Sequence, residues 1–150
     1  QEVKIMENKW LLGAFSGILA GLVSGLLGIV LTGLGITKAN FPTILATVIR
    51  PSDTTTTLAL GWLAHLALAG LVGTVFVYLF RWSNQKFALI KGLAFGVILW
   101  ALGLGLAIIE PNVTALHTLS SVGYLALNIF FGFSLAVFVE LLQKERRPLT

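Results

Sequence analysis

Four long apolar stretches, separated by short segments that carry most of the charges, dominate the chain. They cover about residues 10–34, 56–80, 87–109 and 118–142. Each is longer than the roughly 20 residues that a helix needs to cross a ~30 Å hydrocarbon core. No stretch alternates strictly between apolar and polar residues as barrel strands do. The pattern predicts an all-α integral membrane bundle of four transmembrane helices, forming one membrane domain over residues 1–150.

A fifth, shorter helix is predicted after the first span, at about residues 41–50. Asn40 stands where an N-cap is expected, and Pro42 falls in the first helical turn. Pro51 ends the segment, because the residue before a proline avoids the helical region. Such a helix is too short to span, so we expect it to lie in the membrane interface. An irregular apolar loop packed on the bundle is the alternative.

Composition agrees with a membrane protein. The chain is 57% hydrophobic and 11% charged, with a mean hydropathy of +0.94, whereas soluble domains carry about 25% charged residues. A soluble enzyme and a disordered region are therefore excluded. The absence of cysteine excludes a disulfide framework and thiolate metal ligands. The net charge of +4 suits the positive loops of a membrane protein, and we expect the lipid bilayer but no nucleic acid as a partner.

The basic residues indicate the orientation. Only Lys38 and Arg50 fall on one side of the four predicted spans. The other eight fall on the opposite side: Lys4, Lys9, Arg81, Lys86, Lys91, Lys144, Arg146 and Arg147. Because basic residues concentrate on the cytoplasmic side, we expect the N- and C-termini to be cytoplasmic. A cleaved signal peptide is the alternative for the first stretch, which is long for that role.

Small residues recur at every fourth position in two spans. This spacing places them on one helix face, where glycine lets another backbone approach closely. The predicted helix-packing positions are Gly13, Gly17, Gly21, Gly25, Gly92 and Gly96. The spacing leaves open whether the partner helix belongs to this chain or to a second copy.

Polar side chains in the spans form a candidate intramembrane site. At 1.5 Å per residue, His65 lies ~12 Å below the outer boundary, and Trp100 and Asn128 lie ~13–14 Å below it. Ser24 falls at a similar level, with Tyr124 one turn further out. Because a polar group in hydrocarbon needs a partner, we predict a hydrogen bond between His65 and Asn128, either direct or through one water.

The role of His65 has two interpretations. In the first, His65 is structural and stabilises helix packing through a hydrogen bond to Asn128 or Ser24. In the second, it is a functional group of a ligand or proton site. His65 and His117 differ by about 12 Å in depth, which disfavours a shared haem. We therefore expect no metal and no cofactor. A quinone or haem pocket using His65, Trp100 and Tyr124 is a weaker alternative.

Catalytic patterns are missing from the sequence. There is no carboxylate cluster, no Ser-His-Asp set and no phosphate-binding loop. The sequence therefore favours a non-enzymatic scaffold or accessory subunit that packs against itself or another membrane protein. The alternative is a site for binding or transport of a small molecule, a lipid or a proton, built on the polar layer around His65.

A set of glycine, proline, charged and aromatic positions extends over nearly the whole chain, from Trp10 to Glu140. Its members are Thr37-Lys38, Pro42, Arg50-Pro51, Gly61, His65, Lys91-Gly92, Gly96, Trp100, Glu110-Pro111, Phe131-Gly132-Phe133-Ser134 and Glu140. On these positions the chain resembles the YqhR-like family of small bacterial four-span membrane proteins. The resemblance implies the four-span fold and a place in the bacterial cytoplasmic (inner) membrane, and it implies no activity.

Overall fold

The computed structural model of the protein describes residues 8–49, 55–82, 86–109 and 122–144. Within these ranges the chain forms five helices and no strand. The helices are α1 (Lys9–Gly33), α2 (Phe41–Ile49), α3 (Thr55–Trp82), α4 (Ala88–Ile109) and α5 (Val122–Lys144). By length and composition, α1, α3, α4 and α5 can each cross a membrane. The predicted all-α bundle with a short helix after the first span is confirmed.

Some predicted features lie outside the described residues. They are residues 118–121 of the fourth span, Arg50 at the end of the short helix, Pro51, Glu110-Pro111, His117, and the charges Lys4, Arg146 and Arg147.

The turn after α1 brings the chain back toward the bundle. Gly35 has a φ of +74°, a conformation that glycine adopts without steric cost. Its N–H donates to the Thr32 carbonyl (3.0 Å), and the Ile36 N–H donates to the Leu31 carbonyl (2.9 Å). This pair of bonds is a Schellman motif, which satisfies the last carbonyls of the helix.

The predicted N-cap of α2 is confirmed. Asn40 Oδ1 accepts hydrogen bonds from the Thr43 backbone N–H (3.0 Å) and from the Thr43 hydroxyl (2.7 Å). The cap satisfies a donor that would otherwise lack a partner at the start of the helix. The cap therefore fixes the start of α2 at Phe41.

The four long helices form a ring with one loose side. α1 packs on both α3 and α5, and α4 packs on α5, whereas α3 and α4 touch at few positions. We name this side the α3–α4 seam. α2 lies against α3 at the end of the ring where α1 ends, which we name the α2 end; the opposite end is the terminal end.

Both predicted glycine faces pack within the chain. A Cβ on Gly17 would lie 3.0 Å from the Gly73 Cα and 2.9 Å from the Ala69 carbonyl carbon, both in α3. A Cβ on Gly96 would lie 2.8 Å from the Asn128 carbonyl carbon in α5. Only glycine permits backbones this close. The partners of these two faces are therefore helices of the same chain.

Aromatic contacts close the seam near the terminal end. The rings of Phe76 in α3 and Phe95 in α4 have centroids 5.2 Å apart. Phe80 stacks beside Phe76 at 5.8 Å, and the Lys91 ammonium lies 5.2 Å from the Phe80 ring centroid. These distances suit aromatic and cation–π attraction. The seam is thus held at one end and parts toward the α2 end.

Candidate ligand site within the membrane-spanning bundle

A cleft of about 370 Å³ occupies the parted half of the α3–α4 seam. Residues of all five helices line it. Among these described residues only Ser24, His65 and Asn128 have polar side chains; most others are leucine, valine, isoleucine or phenylalanine. A volume of this size falls within the about 300–1,000 Å³ that is usual for small-molecule sites. An apolar wall with a few convergent polar groups is also typical of such sites.

The cleft opens sideways, toward the region that a bilayer would fill. Three leucines at its edges are substantially exposed, Leu68 at 43%, Leu102 at 61% and Leu106 at 56%. On α4 the lining extends from Leu99 to Leu106, which corresponds to about 10 Å along the helix axis. The opening therefore extends along the side of α4 and is not confined to the end of the bundle.

His65 and Ser24 are both buried polar residues of the cleft wall, each at 7% exposure. The imidazole of His65 bonds to α1. Its Nε2 lies 2.9 Å from the Gly21 carbonyl oxygen of α1. A carbonyl oxygen can only accept, so the Nε2–H donates. Nδ1 is then the acceptor of the neutral imidazole, and no described residue hydrogen-bonds to it.

Gly25 and two aromatic rings hold the imidazole in place. A Cβ on Gly25 would lie 3.2 Å from His65 Nε2 and 2.8 Å from the tip of the Trp62 ring. The ring centroids of Phe41 and Trp62 lie 5.7 and 5.9 Å from that of His65. Because glycine has no side chain, Gly25 leaves room for the imidazole, and the neighbouring Phe41 and Trp62 rings restrict the rotation of the imidazole.

Ser24 and Asn128 bond to the backbone of their own helices. The Ser24 hydroxyl donates to the Gly21 carbonyl at 3.2 Å, and Asn128 Nδ2 donates to the Tyr124 carbonyl at 2.9 Å. The structure shows no direct hydrogen bond between His65 and Asn128, and a bond through one water stays a prediction. Both residues line the cleft, but each side chain donates to a backbone carbonyl nearby.

Tyr124 and Trp100 lie in a second group at the α2 end, and neither lines the cleft. Tyr124 is fully buried, and its hydroxyl donates to the Ala39 carbonyl at 3.0 Å. Trp100 packs in the same apolar cluster as Tyr124 and Ile44, and its buried Nε1–H has no partner among the described residues. The predicted polar layer is therefore divided into two groups. Ser24, His65 and Asn128 form the cleft group, and Trp100 and Tyr124 form a pair at the α2 end.

Phe41 links the two groups, and it is not among the site residues that the sequence predicts. Its ring lies 5.7 Å from the His65 ring and 5.8 Å from the Tyr124 ring. Gly21 was marked for helix packing but not as the acceptor for His65. The early position of Phe41 in a helix directed at the bundle was the available signal. No sequence signal identifies the Gly21 carbonyl as an acceptor, since every helical residue has a carbonyl group.

No group of three or more His, Cys, Asp or Glu side chains suited to a metal ion occurs in the ranges that the structure describes.

No family model, curated protein or solved structure matches this chain. The resemblance to the YqhR-like family stays a prediction.

Proposed function

We propose that this membrane protein binds a neutral, largely apolar small molecule in the cleft of the α3–α4 seam. The observation that carries the proposal is the opening itself, an apolar cavity that extends from the side of the bundle to the wall formed by His65. A packing role for His65 alone would not require this space.

The proposed ligand enters sideways from the bilayer. Exposed Leu68, Leu102 and Leu106 line the route, and an apolar molecule dissolved in lipid meets no polar barrier there. The aromatic contact between Phe76 and Phe95 closes the seam toward the terminal end. This closure supports one-sided access and gives no support to a pore through the bundle.

The distribution of basic residues supports the proposed orientation. With the chain termini in the cytoplasm, the α2 end and the cleft face the outer half of the bilayer. α2 then lies in the outer interface beside the entrance, and its exposed Val48 contributes to the lining.

A scaffold or accessory role is the second candidate, and the burial of α4 favours it. Only 22% of the most apolar stretch of α4 is buried, against 39% in each of the other three spanning helices. A partner helix or a second copy would fit that exposed surface. The glycine face of α1 supports this role less, because it contacts α3.

Photolabelling with adamantyl diazirine, an apolar probe, tests the ligand proposal in nanodiscs. We expect saturable adducts on the cleft residues of α3 and α4, mapped by peptide mass spectrometry. Gly103→Phe should abolish the saturable component, because Gly103 lines the cleft. Gly105→Phe is the matched control on the same helix, since a Cβ there meets nothing within 4 Å, and it should label like the wild type.

Uniform, non-saturable labelling of all exposed helix faces would overturn the ligand proposal. The scaffold role would then be the better explanation, and light scattering of the solubilised protein would give the number of copies.

A further inference from the structure

We infer that the ligand donates a hydrogen bond, as a neutral alcohol or phenol does, and is not an ether, a ketone or a plain hydrocarbon. The inference rests on the proposed function and specifies the chemistry of its ligand. The inference follows from the donors and acceptors of the cleft wall that protein groups leave without a hydrogen bond.

His65 offers an acceptor to the cleft. Its N–H on Nε2 is used by the Gly21 carbonyl, and a neutral imidazole has one donor and one acceptor. The unused position is the Nδ1 lone pair. Since His65 lines the cleft and no described residue bonds to Nδ1, a ligand at this wall meets an acceptor.

The other two polar side chains add mainly acceptors. The Ser24 hydrogen is directed to the Gly21 carbonyl, so the Ser24 oxygen keeps its lone pairs. Asn128 uses one amide hydrogen on the Tyr124 carbonyl and keeps its carbonyl oxygen together with one N–H. Three acceptors and one donor are thus left on the described cleft wall, an imbalance that favours a donor.

The membrane makes this hydrogen bond the main source of selectivity. Lipid tails are as apolar as leucine, so an apolar molecule gains little by exchanging lipid for the cleft wall. A hydroxyl group in hydrocarbon has no water to bond and is costly to leave without a partner. A ligand hydroxyl that reaches His65 Nδ1 gains a partner that the bilayer does not supply.

The test compares 1-naphthol with 1-methoxynaphthalene, which share a ring system and differ in the hydroxyl hydrogen. Each competes against adamantyl diazirine labelling in nanodiscs, and competitor concentrations are corrected for partitioning into the lipid. We expect 1-naphthol to displace the label about tenfold more effectively. In His65→Leu this ratio should fall to about one. Because adamantyl diazirine needs no hydrogen bond, its labelling also reports whether the variant still forms the cleft.

The outcomes separate the two proposals. Equal displacement by both competitors in the wild type overturns the donor inference and leaves the proposed function standing. Non-saturable labelling overturns the proposed function. A tenfold ratio that persists in a labelled His65→Leu protein shows that His65 is not the acceptor. If that variant does not fold, the wild-type ratio decides.

Discussion

At the scale of single residues, glycine does two different things on α1. Gly17 lets the α3 backbone approach, whereas Gly25 leaves the space that the Trp62 and His65 rings occupy. The first use concerns the stability of the helix pair, and the second concerns the shape of the candidate site. One regular spacing in the sequence therefore serves both the fold and the cleft.

Gly17→Ala should destabilise the bundle by about 1–3 kcal/mol, the usual cost of overpacking a tight site. Its Cβ would collide with the backbone of Ala69 and Gly73, which cannot rotate away. Gly105→Ala is the control; its Cβ meets nothing within 4 Å, so helix propensity should leave stability equal or slightly higher. Thermal unfolding in mixed micelles measures both. Equal stability of the two variants would contradict the close α1–α3 contact.

The sequence could place His65 beside Ser24 and Asn128, but it could not predict the hydrogen-bond partner of His65. Counting residues along straight apolar helices places a side chain in the bilayer, and both His65 and Asn128 line the cleft as a result. The acceptor for His65 is a backbone carbonyl. Whether His65 can reach this carbonyl depends on how α1 is rotated about its axis relative to α3. The sequence contains no side-chain pattern that predicts this rotation.

At the scale of elements, α2 is the part whose placement bears most on the site. It packs on α3, where Gly61 lies against Pro42 and Ala46, and it carries Phe41 to the His65 ring. The sequence predicts the start of α2, because the capping residue Asn40 and the first-turn Pro42 are local signals. Its contact with Tyr124 joins positions far apart in the chain, and local signals do not specify such contacts.

Asn40→Ala should loosen the first turn of α2 by about 1 kcal/mol, a typical cost of losing an N-cap. Hydrogen exchange at the first amides of α2 should accelerate correspondingly. Thr47→Ala is the matched control on the same helix, because the Thr47 hydroxyl donates only to the Thr43 carbonyl one turn back. If exchange in Asn40→Ala matches that in Thr47→Ala, packing and not the cap holds the start of α2.

At the scale of the whole molecule, the sequence predicts the number and limits of the spans better than the way they pack. Each span is apolar nearly all round, so lipid-facing and protein-facing sides differ mainly in side-chain size. Gly92 and Gly96 identify the α4–α5 contact. No sequence pattern predicts that α3 and α4 part along their seam, because the gap results from a lack of close packing and not from a particular residue spacing.

The proposed orientation can be tested with cysteine labels, since the chain contains no native cysteine. Lys38 and Lys86 are both exposed and lie at opposite ends of the bundle. We expect Lys38→Cys in intact cells to react with a membrane-impermeant maleimide. Lys86→Cys should react only after the membrane is permeabilised. The reverse pattern would place the cleft in the inner half of the bilayer.

The pairing of α4 with α5 also sets an order of events during synthesis. α4 touches α3, the spanning helix made just before it, at few positions and packs mainly on the helix made after it. Because a chain is synthesised from its N-terminus, α4 enters the bilayer before its principal neighbour exists. Until α5 follows, the face of Gly92 and Gly96 lacks its partner helix. α5 then completes two helix contacts, one with α4 and one with α1.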